Sequence, residues 1–534
     1  MPPMKGARTD FLSTAPLAAA GAVLVLLTVT AWPLAALART ALDSDLLNVL
    51  RTDRELRQAF LWASAIATAA CTLRVFFGVV SAYCWARLRY PGRTLLRGLA
   101  IAPLAVPAIV LASGIEALFA PGRLAADLVA LVGIDPARLR SGTGAVIVAH
   151  GLVATAAVGW FASVAWANVD ARKVDAARTL GAGQLRAARV AVWPAVWPSA
   201  LAGAGSAFLQ AVLSYGVIVI LADGRETPEG LAVRLALASD ERAAAVAVLT
   251  GGYAFLCGLI TIQLVRLPQV EARRTRARQR ARGFDRLAIL VAALPAMLML
   301  GLTVTLCLQA VEAEDGLTAH YIRGLVEGPG ASVIRHAALG SLLAAIPAAA
   351  LTAVWGGMAG AALGRMQGFG GMVRALALLF PLAASPVALA LGWQLALPDL
   401  DSRITLPAVQ AFVAFPFVAG TIARMRPRPR PGMVAAARVL GARRLRAWRV
   451  LRGPSYVIAA FVGLLVAFGL TLGETAAATV ARIPGGTLPT HLLDLHRRGA
   501  SGEAAALATA ILVIAVGAFA LGDPIIARFG RARR

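Results

Sequence analysis

Residues 174–194 read VDAARTLGAGQLRAARVAVWP, and residues 434–454 read VAAARVLGARRLRAWRVLRGP. The two phrases lie 260 positions apart and share 13 of 21 residues without a gap, from Val174/Val434 through Gly181/Gly441 to Pro194/Pro454. That much identity at one offset points to duplication. Each copy reads as a short helix, a glycine break, a second basic helix and a proline stop. Small alanines ahead of the glycine let another surface approach closely. Gly181 and Gly441 are free to take positive φ, so the chain can turn sharply there. Leu185 and Val190 offer an apolar side, whereas Arg186, Arg189 and Arg446 suit water, headgroups or an acidic partner. The shape is a protrusion that fits a groove on something else.

The surroundings of both phrases are apolar. Of 534 residues, 59% are hydrophobic and 15% charged, with a mean hydropathy of +0.74. A soluble domain is about half apolar and a quarter charged. The apolar residues fall in continuous blocks of about 20, the length that crosses a hydrocarbon core of roughly 30 Å. The alternation of a β-barrel strand, over about 10 residues, is missing. The sequence therefore predicts an all-α polytopic membrane protein with about twelve spans. They fall near 16–38, 58–86, 98–119, 143–167, 199–221 and 243–265, then 287–310, 336–363, 375–397, 404–423, 455–480 and 504–527. This reads as two homologous six-span halves in parallel duplication, 1–265 and 287–534, joined by the basic segment 266–286. The stretch from Pro16 to Ala38 exceeds a signal-peptide core of roughly 7–15 residues and is read as the first span.

The formal charge is +25, yet the only lysines are Lys5 and Lys173. The arginines gather in short connections without aromatic interleaving, which fits the positive-inside rule rather than a nucleic-acid footprint. With the N-terminus in the cytoplasm, connections on that side hold 35 Lys/Arg against 16 on the other. Both termini and both repeated phrases, within 168–198 and 424–453, are then cytoplasmic. The proline-rich RMRPRPRPG at 424–432 ends span ten, because proline cannot continue a helix.

The phrases resemble the EAA loop of ABC importer permeases, a pattern of E-A-A, three residues, G, and a later proline. The matching residues are Asp175-Ala176-Ala177 with Gly181, and Ala435-Ala436-Ala437 with Gly441. Aspartate and alanine replace the usual first glutamate, so the resemblance implies two unequal contacts. It implies that the loops dock on two cytoplasmic ATPase subunits, that Arg186 and Arg446 belong to the coupling helices, and that a fused permease carries one loop per subunit. The resemblance continues in YPGRTLLRGLAIAPLAVPAIVLASGI (90–115), in 215–249 and in 485–512. These are similar to fused permeases for thiamine and iron(III). GIEALFAPGRLAADLVALVGID (114–135) favours the thiamine branch, whose cargo is a cation delivered by a periplasmic or lipid-anchored binding protein. Iron(III), polyamine and phosphonate permeases share the architecture. The localisation so implied is the bacterial inner membrane, and a twelve-span ion-driven secondary transporter is the alternative of another class.

No phosphate loop is present: Lys5 precedes Gly6 and Lys173 precedes Val174, where that motif needs a hydroxyl residue. ATP is thus expected on a separate chain, and the sequence suggests no catalytic residue, metal site or cofactor. Cys71, Cys84, Cys257 and Cys307 form no C-x-x-C pair, and His491 and His496 are five apart rather than four. Ionisable groups inside spans are costly and mark function. Arg74, Glu116 and Glu474 stand out. Offset 260 puts Glu474 opposite Ser214, and the resemblance implies that span five of each half lines the path. Ser214, Tyr215 and Glu474 are the expected pathway residues, with an internal helix-to-helix hydrogen bond or a Glu474–Arg74 pair as the structural alternative.

Overall fold

The computed structural model describes residues 15–44, 46–104, 106–152, 155–167, 169–264, 278–313, 316–363, 381, 384–425, 433, 436–437, 439–451 and 453–532. Ala435, most of the 266–286 linker and 426–432 lie outside the described residues. The chain is an all-α polytopic membrane protein. Among the described residues seven helices are long and apolar enough to cross a membrane. They are Ala20–Asp43, Arg54–Arg87, Gly142–Ala167, Arg242–Thr261, Phe284–Gln309, Ala331–Ala359 and Ser402–Ala419. An eighth is a pair, Arg93–Leu104 and Ala108–Leu118, bent by 117°. Pro103 and Pro107 explain the break, since neither has an N–H to continue a helical ladder. Pro386–Ala396, Tyr456–Leu472 and Ser501–Gly517 are shorter apolar helices. The fifth expected position holds a 20-residue helix, Trp193–Val212, whose Gly, Ser, Pro and Gln residues make it less apolar.

Ten helices position the site. In chain order they are α1 (Ala15–Asp43), α2 (Arg54–Arg87), α3 (Ala108–Leu118), α4 (Ala171–Thr179), α5 (Trp193–Val212), α6 (Pro228–Leu237), α7 (Pro386–Ala396), α8 (Gly453–Leu472), α9 (Ala476–Ala481) and α10 (Leu488–Arg497). Local sequence explains several starts. Asp53 caps α2 by accepting from Leu56 N at 3.0 Å, and Ser385 caps α7 from Ala388 N at 2.9 Å. Thr227 caps α6, with proline at its first position, and Thr487 with Thr490 forms a capping box on α10.

The repeat is visible in the helix bounds. Trp193–Val212 and Gly453–Leu472 differ by 260 at both ends, as do Pro228–Leu237 and Leu488–Arg497. One offset does not serve throughout. Upstream it becomes 278: the tripeptide PLA at 103–105 recurs at 381–383, and Gly78 corresponds to Gly356. The 18-residue difference arises between Leu118 and Gly142, a longer connection that adds the short helices Leu124–Leu131 and Ala137–Arg140. Residues 397–401 join the corresponding helices directly.

Glycine sets the tightest helix contacts. A Cβ on Gly78 would lie 2.7 Å from Val158 Cβ, and one on Gly356 would lie 2.7 Å from Val418 Cγ1. Gly78 with Val158, and Gly356 with Val418, are the same contact at the two offsets. Such close approach is how helices associate where lipid removes the hydrophobic drive.

The helices before and after the 266–286 segment form an N-terminal and a C-terminal set, and the first helix of each set packs on the other. On α1, the Ala22 carbonyl accepts from Trp355 Nε1 at 2.8 Å, and Gly392 of α7 meets Pro33. Reciprocally, Phe284–Gln309 reaches the N-terminal set: Tyr83 Oη donates to Asp285 at 2.7 Å, and Gly114 of α3 meets Leu302. Nothing in the sequence predicts this exchange.

Candidate functional site: two exposed loops and a central junction

The helix α4 begins at Asp170, which accepts from Arg172 N at 3.0 Å. It ends in a left-handed glycine cap. Gly181 has φ +81°, its N–H donates to Arg178 O at 3.0 Å, and Ala182 N–H donates to Ala177 O at 3.0 Å. The copy repeats the device: Gly441 has φ +69°, and Ala442 N–H donates to Ala437 O at 2.9 Å. The spacing from Ala177 to Gly181, and from Ala437 to Gly441, is therefore the geometry of a helix C-cap. The residue immediately before each glycine stands out in the open, with Leu180 88% and Leu440 83% exposed. Asp175, Ala176, Ala436, Arg186 and Arg446 are exposed, while Ala187 and Ala447 are buried against the body. Val190 and Val450 are exposed in both copies. Each loop therefore presents an apolar tip set among arginines.

The second feature lies where α5 and α8 end. Ser214 and Tyr215 follow α5 and are buried; Glu474 follows α8 and is partly exposed. The two ends approach each other: a Cβ on Gly216 would lie 3.3 Å from Ile109 N and 3.5 Å from Thr475 Oγ1. Gly473 sits against Pro107, where an added Cβ would be 2.5 Å from Pro107 Cβ. The structure thus brings Ser214, Tyr215 and Glu474 to one junction with the start of α3.

Glu474 is not paired with Arg74. Its carboxylate accepts from Ala477 N at 3.0 Å and Ala478 N at 3.1 Å, capping α9. A carboxylate at a helix N-terminus is stabilised by those free amides and by the helix dipole. Arg74 instead donates through Nε to the His150 carbonyl, and its Nη2 lies 3.4 Å from His150 Nδ1. Helix α2 carries Arg74, so that buried cation belongs to helix packing within the N-terminal set.

Several junction residues carry no sequence signal of their own. Thr227 Oγ1 donates to Ser214 O at 2.8 Å, tying α6 to the end of α5. Ser385 Oγ donates to Glu229 Oε1 at 2.9 Å, tying α6 to α7. On the far side of α3, Ser113 Oγ stands 2.8 Å from His496 Nε2, and Glu116 Oε2 stands 3.3 Å from His496 Nδ1. The Ser113 proton goes to Ile109 O at 2.9 Å, so this serine accepts from His496. The Ser–His–Glu trio is a clamp between α3 and α10 rather than a nucleophile with its base, which would need the serine proton aimed at histidine.

No family model matches the chain. Curated relatives do. The thiamine transport system permease protein ThiP of Brucella abortus is 26% identical over 489 residues, covering 86% of this chain and 85% of that protein. The chain resembles ABC transporter permeases. A probable ABC transporter permease protein, y4fN of Sinorhizobium fredii, is 30% identical over 227 residues, or 42% of this chain; the match spans 39% of that relative. The sulfate transport system permease protein CysT of Salmonella typhimurium is 27% identical over 146 residues, covering 27% of this chain and 52% of its own. The relatives are transport permeases, as the EAA-like phrases imply. Two of these names specify a cargo, thiamine in one and sulfate in the other.

Proposed function

We propose that the chain is the permease subunit of an ABC importer in a bacterial inner membrane, with both termini cytoplasmic. Its two six-span halves, 1–265 and 287–534, form one translocation path. Each half offers its glycine-capped loop to one of two cytoplasmic ATPase subunits, and a periplasmic or lipid-anchored binding protein delivers the cargo. The observation that carries this reading is the repeated cap, with Leu180 and Leu440 exposed at equivalent places. An exposed leucine costs free energy in water, about 25 cal/mol per Å² of apolar surface, which a groove on a partner would recover. Thiamine is the cargo the reading favours, supported by ThiP's near-full-length match. Closure of the ATPase pair would move both loops together and rock the two sets of spans about the junction.

The test is gentle detergent purification of the tagged chain from its host, with mass spectrometry of what accompanies it. An ATPase at two copies per permease is expected. An intact, folded chain without any ATPase would favour an ion-driven transporter.

Glu474 is assigned to the path. Glu474→Gln keeps one oxygen acceptor for α9 and removes the charge, so we expect ATPase co-purification to be unchanged and uptake to fall about tenfold, equal to about 1.4 kcal/mol. Assembly lost together with transport would make Glu474 a structural cap instead.

A further inference from the structure

One buried acid has no part in the reading so far. Glu229 is the second residue of α6, in the connection between the fifth and sixth spans, and is 0% exposed. Its Oε1 accepts from Ser385 Oγ at 2.9 Å and Val387 N at 3.2 Å, both at the start of α7 in the C-terminal set. Its Oε2 is buried without a partner. The start of α7 does not need this charge, because Ser385 already caps it through Ala388 N. A glutamine at 229 would hold both Oε1 contacts equally well. Burying a carboxylate with half its valence unmet costs several kcal/mol unless a cation or proton joins it.

The position gives that surplus charge a use. Two residues upstream, Thr227 holds the Ser214 carbonyl, so Glu229 is fixed to the segment carrying Ser214 and Tyr215. Helix α6 also packs on α9, whose first amides Glu474 caps, and the Glu474 charge acts on the Glu229 carboxyl. Among the described residues neither carboxyl is in an ion pair.

Resting on the importer reading above, we propose that Glu229 and Glu474 form a two-carboxylate site at the junction of the two sets of helices, which binds a cationic cargo in transit and rejects oxyanions. The close contacts of Gly216 and Gly473 shut the junction in this structure. Rocking the sets apart parts Glu229 from Ser385 and exposes both oxygens to the path.

Burial, with the Glu474 charge adding to it, pushes the Glu229 carboxyl up to about 7. A raised carboxyl pKa means that the proton leaves as pH rises through that value. Cation uptake should therefore climb between roughly pH 6 and 8. The charged groups on elements packed against α6 are Glu474 and Arg482 flanking α9, Asp53 and Glu55 at the start of α2, and Arg242 on the following span. Asp53 with Arg242, and Glu55 with Arg234, are already paired.

The experiment uses the full chain with its ATPase subunits and binding protein in proteoliposomes, with labelled thiamine, spermidine and sulfate as probes. Glu229→Gln should lower uptake of the transported cation at least tenfold and flatten its pH profile, with ATPase co-purification unchanged. Wild-type uptake and pH profile in Glu229→Gln would overturn the assignment. Preferential import of sulfate by the wild type would overturn the cation class. If Glu229→Gln fails to assemble, Glu229→Asp keeps the charge but retracts it; a raised KM supports the site and an unchanged KM overturns it. Absence of any ATPase with the wild type would instead defeat the importer reading itself.

Discussion

The double variant Gly181→Glu/Gly441→Glu should insert and fold normally yet lose its ATPase partners at least tenfold in co-purification. Both glycines sit in the left-handed region, at φ +81° and +69°, and a side chain there strains the backbone by roughly 1–2 kcal/mol per site. Among the described residues nothing lies within 4 Å of where either Cβ would stand, so the cost is conformational and not steric. Relief of the strain unwinds the cap, frees the Ala177 and Ala437 carbonyls, and swings Leu180 and Leu440 away from their common placement. The strain is confined to exposed loops, so the body of the protein stays intact. Asparagine tolerates left-handed backbone better than other residues, and Gly181→Asn/Gly441→Asn should keep most of the binding. Normal docking by the glutamate pair would remove these loops from the coupling path.

The second large effect concerns the body itself. Gly78→Val should prevent recovery of monodisperse protein from detergent. Its added Cβ meets Val158 Cβ at 2.7 Å and Gly159 N at 3.0 Å, so the helices must separate along their contact. Overpacking of this kind costs about 1–3 kcal/mol, and more where backbone is struck. Gly356→Val should behave alike against Val418 and Ala419 N, at 2.7 and 3.2 Å. The milder Gly78→Ala should lower the apparent Tm, and Val158→Ala should restore only the part due to Val158 Cγ1 at 2.7 Å, because its Cβ at 2.7 Å remains. Thermal unfolding followed by size exclusion reads both. An unchanged Tm in Gly78→Ala would mean that these helices are not in close contact.

The clamp of His496 on Ser113 and Glu116 shows how a residue type can mislead when its distance to others is unknown. As HLLDLH, residues 491–496 look like an imperfect metal pair, and their spacing argues against one. The geometry shows His496 engaged with α3, which lies nearly 400 positions earlier in the chain. Glu116 is legible as a costly acid in a span; its partner is not.

The sequence by itself determined what depends on neighbours along the chain. Continuous apolar blocks specify helical spans, because hydrocarbon forces the backbone to satisfy its own hydrogen bonds. The repeat of A-A-x-x-x-G specifies two identical helix caps, because that glycine alone takes positive φ cheaply and those alanine carbonyls fall where the cap needs them. Ser214 and Glu474 could be matched because no insertion separates the copies over that stretch.

Only the tertiary structure decided which spans meet. Apolar helices of similar composition present no local pattern that names a partner, so the exchange of first helices, with Trp355 on Ala22 and Tyr83 on Asp285, is invisible in the sequence. The shift of offset from 260 to 278, marked in the sequence by little more than the tripeptide PLA, gains its meaning once Gly78 and Gly356 are seen against Val158 and Val418. Glu229 looks like an ordinary acid in a helix's first turn. It becomes a buried charge with a vacant oxygen only once α6 has folded onto α7, because burial belongs to the assembly of helices and not to any one of them.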